Sequence, residues 1–364
     1  MRSIRIVTIL LAGALLTLAC GGSSSGSGST GSTGGPTAKK IALLLPETKT
    51  TRYEAKDKPL FTAKLMSLCP TCTILYSNAN QDAAQQQSQA EAALTNGASV
   101  LVLDAVDGKA AAAIAVKAKA AKVPVISYDR LVTGTDAIDY YVSFDNAKVG
   151  QLQGTALLTA LGSNAASATV VFINGSPTDN NATLFKQGAH SVLDGKVKLG
   201  AEYDTPDWSP DKAQQEMTQA LTKLNNKVDG VLAANDGTGG GAIAAMKAAG
   251  VKPLPPVTGQ DAELAAIQRI VTGDQYMTVY KAIKAEAEAA AQLAFTLSQG
   301  KKPDSTTVNG KTNNGSIDVP SVLLVPVAVT KSNIATTVIA DGFYSKSDIC
   351  TSEFAAACTA ASIS

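Results

Sequence analysis

The chain is 364 residues long, with a formal net charge of +1, 45% hydrophobic residues and one histidine. So even a charge balance excludes a surface made for nucleic acid or another polyanion. A lone histidine argues against a zinc site and against a histidine-driven hydrolase.

The amino terminus sets the compartment. Arg2 and Arg5 precede an apolar run, 6–19, which is too short to cross a bilayer with margin and reads as a secretory signal. The run ends at Leu18-Ala19-Cys20, which resembles the lipobox of bacterial lipoproteins, with Thr17 where leucine is usual. That resemblance implies an acylated Cys20 as the mature amino terminus, so residues 1–20 are a lipoprotein signal and the protein is extracytoplasmic, anchored to the cell membrane. Residues 21–38 are Gly-, Ser- and Thr-rich, build no core and are expected to be a flexible tether. Beyond them the alanine-rich runs are interrupted by Lys, Glu and Gln, so no second membrane span is expected.

From residue 39 strand-length apolar runs alternate with amphipathic helices. Strands are expected at 41–45, 73–76, 100–103 and 123–128, with helices running from Asp82 to Asn96 and over 110–122. After Phe144-Asp145-Asn146 the rhythm restarts. Strands at 168–173, 197–203, 230–234, 257–259 and 276–280 then alternate with helices at 183–193, 211–225, 242–249 and 264–271. A long helix over 282–298 presents Ile283, Ala287, Ala290, Ala294 and Leu297 on one face, and a late strand covers 322–329. Such alternation predicts an α/β fold of two doubly wound parallel-sheet lobes.

With Cys20 set aside, Cys69, Cys72, Cys350 and Cys358 remain, an even number that suggests disulfides in an exported chain. Of the three connectivities, the local pairs 69–72 and 350–358 are preferred. Cys69-Pro70-Thr71-Cys72 also has redox CxxC spacing, but it lies between a helix and a strand, where a structural clip is the better reading.

The polar residues fall at informative places. Asp129-Arg130, Asp179-Asn180-Asn181, Asn235-Asp236, Gln260-Asp261 and Lys281 each sit just past a predicted strand. Ligands of open parallel sheets bind outside those ends. Any one such residue is more often a turn or helix cap, but the repetition points to a shared cleft. Carboxylates, amides and two cations, without a phosphate cradle, suit a neutral polyol. The only tryptophan, Trp208, lies in a strand-to-helix loop and is expected to stack on a sugar face, with Tyr53 as a second plate.

These strings resemble the xylose-binding protein family of type I periplasmic sugar receptors. The resemblance rests on Arg52-Tyr53, Ser127-Tyr128-Asp129-Arg130, Tyr141-Val142-Ser143-Phe144-Asp145-Asn146, Gly175-Ser176-Pro177-Thr178-Asp179-Asn180-Asn181-Ala182, Ala234-Asn235-Asp236, Gly259-Gln260-Asp261-Ala262 and Met277-Thr278-Val279-Tyr280-Lys281. It covers residues 39–346, in order. It implies that Arg52, Asp129, Arg130, Asp179, Asn181, Asn235, Asp261 and Lys281 hydrogen-bond the sugar while Trp208 stacks on it. It also implies a three-segment hinge, with one lobe from 39–145 plus 282–319, the other from 146–281 plus 320–346, and a tail over 347–364. The expected function is a monomeric, non-enzymatic receptor that hands a monosaccharide to the permease and ATPase subunits of an ABC importer. D-xylose is favoured, with glucose, arabinose or ribose as alternatives, and no cofactor or metal is implied. Two departures, Tyr53 in place of the family's tryptophan and a different loop length over 46–57, fall in the first sugar-contacting loop.

The sharpest rival is a dinucleotide-dependent enzyme, because Gly237-Thr238-Gly239-Gly240-Gly241-Ala242 follows a predicted strand and Asp261 ends the next. Asp236, directly before the glycines, would repel a pyrophosphate. Gly310-Lys311-Thr312 lacks the first glycine of a P-loop, and Asn78, Asn80 and Asp82 lack the glycine and glutamate of a calcium loop. A sugar-responsive transcription regulator would carry a helix-turn-helix where this chain has its signal.

Overall fold

The computed structural model describes residues 38–363; the signal, Cys20 and the tether up to residue 37 lie outside them. The first lobe begins with β1 (Lys40–Leu45), α1 (Lys58–Leu68), β2 (Thr73–Asn78), α2 (Ala83–Thr95), β3 (Val100–Leu103), α3 (Ala112–Ala120), β4 (Val125–Tyr128) and β5 (Tyr140–Phe144). The chain then builds α4 (Asn146–Leu161), β6 (Thr169–Asn174), α5 (Asn180–Leu193), β7 (Lys198–Asp204), α6 (Pro210–Lys223), β8 (Gly230–Ala233), α7 (Asp236–Ala248), α8 (Leu264–Thr272) and β9 (Met277–Tyr280) in the second lobe. It returns through α9 (Ile283–Ser298), β10 (Gly310–Asn313) and β11 (Asp318–Leu324), and ends with β12 (Val327–Thr330), α10 (Lys346–Ile349) and α11 (Ala355–Ala360).

The first sheet has the order β10-β11-β5-β4-β3-β1-β2 and is parallel except for β10. Strands covered by helices on both faces bury every side chain, and β1 buries all of Ile41–Leu45. In the second lobe β7-β6-β8 are parallel, while β9 and β12 pair antiparallel. Residues 256–260 bridge the two groups, Val257 opposite Val231 and Gln260 opposite Val279. The small residues expected on one face of α9 are there for a reason: Ala287, Ala290 and Ala294 are wholly buried and let the helix lie close to the first sheet.

The lobes are joined by three crossings, at 145, at 281–282 and at 325–326, each between a strand of one lobe and an element of the other. The third differs from expectation. Pro320 lies inside the first sheet, because Asp318–Leu324 pairs with β5 and β10. The run read as one strand over 322–329 is two, and Pro326, which cannot donate to a ladder, stands between them. Gly310-Lys311-Thr312, which lacks the first P-loop glycine, lies in the edge strand β10.

The glycine-rich string, set against a phosphate by Asp236, forms the first turns of α7, whose amino terminus is capped by the Asn235 side chain. Its glycines serve packing: a Cβ on Gly241 would stand 2.2 Å from the main-chain oxygen of Pro210 on α6. Disulfides join Cys69 to Cys72, between α1 and β2, and Cys350 to Cys358, between α10 and α11.

The single histidine belongs to the scaffold. His190 on α5 lies 2.7 Å from Asp194 and 3.0 Å from Glu202, against the ring of Phe172. Partial burial opposes its charge, but Glu202 and Asp194 outweigh that and raise its pKa. A raised folded-state value stabilises the fold below the unfolded value of about 6.5, and this stabilisation is lost as pH rises through the folded value. The melting temperature of wild type is therefore expected to fall relative to His190→Gln as pH rises above about 6.5. Parallel melting-temperature profiles for the two proteins from mildly acidic to alkaline pH would remove His190 from this role.

Candidate functional site

The residues expected to contact the ligand meet, whereas Asn180 and Asp236 of the strand-end clusters do not line their gap, Asp236 being held by Gln275 and Thr278. Arg52 and Tyr53 follow β1, and Asp129 and Arg130 follow β4, so the first lobe contributes four side chains. The second lobe supplies Asp179 and Asn181 after β6, Trp208 after β7, Asn235 after β8 and Asp261 after the bridging segment. Lys281 follows β9 at the second crossing. Together they line one gap between the lobes. None is more than 4% exposed.

Turns at the strand ends aim these groups. Asp129, Trp208 and Asp261 have φ of 52°, 52° and 87°, left-handed conformations that non-glycine residues adopt at a cost and that cluster at functional sites. Capping and cleft lining coexist. Asp179 caps α5 through one oxygen, accepting from the Asn181 amide at 2.8 Å, and turns the other toward the cleft. Asn235 likewise caps α7 through its Oδ1 while lining the gap.

The charges form two buried groups, each with members from both lobes. Arg52 reaches Asp129 at 3.3 Å and Asp261 at 3.7 Å, and Lys281 lies 3.2 and 3.4 Å from the same two carboxylates. Arg130 Nε is 3.2 Å from Asp179 and 3.7 Å from Asp104, and its Nη2 is 3.4 Å from Glu47. Behind Arg52, Asp57 takes Nε and Nη2 at 3.0 and 2.6 Å, and Glu286 takes Nη2 at 2.6 Å. Seven acids thus surround three cations. Burial would raise the Asp129 carboxyl, but Arg52, Lys281 and Arg130 hold it well below the usual carboxylate range. Burial pushes Glu286, Asp104 and Asp179 upward.

This arrangement leaves hydrogen-bonding capacity pointing inward. Arg52 Nη1, Arg130 Nε, Gln260 Oε1 and Asp261 Oδ1 are buried and make no hydrogen bond. Such atoms are costly unless a polar group arrives to satisfy them. Two rings complete the walls. The Tyr53 hydroxyl donates to Asp129 at 3.2 Å, and the guanidinium carbons of Arg52 and Arg130 lie 5.4 and 5.5 Å from its ring centre. Trp208 donates from Nε1 to Asp179 at 3.1 Å and meets Phe185 edge-on. Gly175 makes room for that indole: a Cβ there would lie 2.0 Å from Trp208 Cη2.

Thr50, Phe185 and Gln260 also line the gap. Glu286 and Asp57 escaped the sequence reading although they hold Arg52. Glu286 had a signal: it stands three positions after Ile283, a charged residue on the buried stripe of α9. Among the described residues no cluster of His, Cys, Asp and Glu is arranged to hold a metal ion, and none of their helices is long and apolar enough to cross a membrane.

Residues 41–302 match the family described as the periplasmic binding protein domain. The chain is 40% identical over 315 residues to the D-xylose-binding periplasmic protein of Escherichia coli (strain K12), covering 85% of this chain and 92% of that one. It is 36% identical over 284 residues to the multiple sugar-binding periplasmic receptor ChvE of Rhizobium radiobacter, covering 73% and 80% respectively. A carbohydrate transporter solute-binding protein from Chloroflexus aurantiacus, solved in complex with D-glucose, superposes with a TM-score of 0.78. It is 32% identical and covers 85% of this chain and 98% of its own.

Proposed function

The chain belongs to the periplasmic binding protein domain family, and from that premise we propose that it is the extracytoplasmic monosaccharide receptor of an ABC importer, with D-xylose the favoured ligand. One observation carries the reading: side chains from two lobes converge on a gap where Arg52 Nη1, Arg130 Nε, Gln260 Oε1 and Asp261 Oδ1 are buried without a protein hydrogen bond. Sugar hydroxyls both donate and accept, so a neutral sugar satisfies cations, amides and carboxylates together. The indole of Trp208 offers a flat apolar face to the C–H side of the ring. The surplus of acids over cations disfavours sugar acids and sugar phosphates, whose charge would enter an already negative interior.

Closure about the three crossings lets the ligand select the closed arrangement through its differential affinity. The permease and ATPase subunits of the importer are the partners this reading requires, with the receptor acting as a monomer. We place it outside the cytoplasm, held to the membrane by a lipid on Cys20. No turnover is expected, and sugar is recovered unaltered.

D-glucose is the second reading. The multiple sugar-binding relative, the glucose-bound neighbour and Tyr53 at the first loop favour a site broader than one pentose. The test is a melting-temperature and calorimetric panel of xylose, glucose, arabinose and ribose on the full chain. A ligand bound only by the native state raises the melting temperature by mass action, about 2.7 kcal/mol of stabilisation at a hundred times Kd. One-to-one binding led by xylose supports the proposal, a lead for glucose supports the second reading, and no response to any sugar overturns both.

A further inference from the structure

The disulfide-closed carboxyl-terminal segment lies beyond the stretch 41–302 that matches the family, and its role is open. It is not a loose tail. Val338, Phe343, Ile349, Cys358 and Ile363 are buried in one cluster with Ile267 and Ile270 of α8. Phe343 packs at a tilt against Tyr280, ring centres 5.1 Å apart, immediately before the hinge residue Lys281, and the Tyr280 hydroxyl donates to Asp341. The segment is therefore fixed to the second lobe.

From there it reaches the first lobe. Lys56 donates to the main-chain oxygen of Phe343 at 2.6 Å, and its ammonium lies 4.5 and 4.4 Å from the ring centres of Phe343 and Tyr344. Lys56 belongs to the single helical turn Tyr53–Asp57. The inner face of that turn buries Tyr53, which lines the cleft, and Asp57, which grips Arg52. One short turn thus has cleft groups inside and the second lobe's terminal segment outside.

We infer that Lys56 is a positioning residue and that the carboxyl-terminal segment is a strap, which holds the first cleft loop in place and stabilises the closed arrangement of the lobes. The inference rests on the sugar-receptor reading. A cation seated on two rings and a carbonyl favours whichever arrangement forms the contact. The contact is present in an arrangement whose cleft side chains are no more than 4% exposed, so it belongs to the closed state, and its loss speeds sugar release more than it slows capture.

The experiment compares full-length wild type with Lys56→Met, Lys56→Arg and Phe343→Leu, using D-xylose and D-glucose. Calorimetry gives Kd, stopped-flow fluorescence of Trp208 gives release rates, and melting without sugar reports the fold. Lys56→Met and Phe343→Leu are expected to weaken binding roughly three- to tenfold, through faster release. Lys56→Arg, which keeps a donor and a cation over the rings, is expected to stay within about twofold of wild type. Wild-type release rates in both Lys56→Met and Phe343→Leu, with unchanged melting, overturn the strap while leaving the receptor standing. A wild type that binds none of xylose, glucose, arabinose and ribose overturns the receptor and the strap with it.

Discussion

Replacing Trp208 by alanine is expected to weaken sugar binding about a hundredfold, equivalent to about 2.7 kcal/mol. Two losses combine. The flat face for the sugar disappears, and Asp179 loses the indole donor that orients it at 3.1 Å. Because Trp208 is 4% exposed, alanine also leaves a cavity and lowers stability. Trp208→Phe separates the effects by keeping a ring while deleting the Nε1 donor, so its affinity should fall between the two. Gly175→Ala reaches the same ring from behind, since its methyl would occupy space the indole fills. It is expected to displace the ring and weaken binding without removing any polar group. Isothermal titration of the three variants is the measurement. Affinity within about twofold of wild type for Trp208→Ala would end the stacking role.

Lys281→Met is expected to cost about 3 kcal/mol of folding stability and most of the sugar affinity. Burial would lower the Lys281 pKa, but Asp129 and Asp261 raise it, so the ammonium stays charged in a site where it is 2% exposed. Methionine fills similar volume yet leaves those carboxylates sharing Arg52 as their only close cation. Breaking one side of a buried ion pair strands the other charge. Adding Asp129→Asn removes one stranded charge, so the double variant should recover part of the stability that Lys281→Met loses. Urea unfolding of both single variants and the double variant closes the cycle. Strictly additive losses would mean that Lys281 and Asp129 do not interact as their 3.2 Å separation implies.

Both predictions depend on residues that the sequence marked by position. Alternation of apolar runs with amphipathic helices is local, so the two-lobe α/β fold was legible from period alone. Polar residues just past those runs were legible too, because a parallel sheet carries all its carboxyl-terminal strand ends to one side. What the sequence could not separate was capping from cleft lining at Asp179 and Asn235, and the structure assigns both to each.

Other features needed the third dimension. Val322 and Val329 lie in one apolar run, and which sheet each half joins depends on β5 and β9, which lie far away in the chain. The glycines after Asn235 fit a phosphate loop by spacing, but they form the first turns of α7, and Gly241 lets that helix lie against the main chain of α6. Glu286 sits among alanines, and its value to Arg52, 234 positions earlier, exists only after the chain returns to the first lobe. The sequence by itself determined the periodicity, the strand-end chemistry and the cysteine count, since each depends on neighbours a few residues apart. Only the tertiary structure decided which acid faces which cation, where the chain changes lobes and what the terminal segment touches. Those are long-range pairings, which local patterns do not encode.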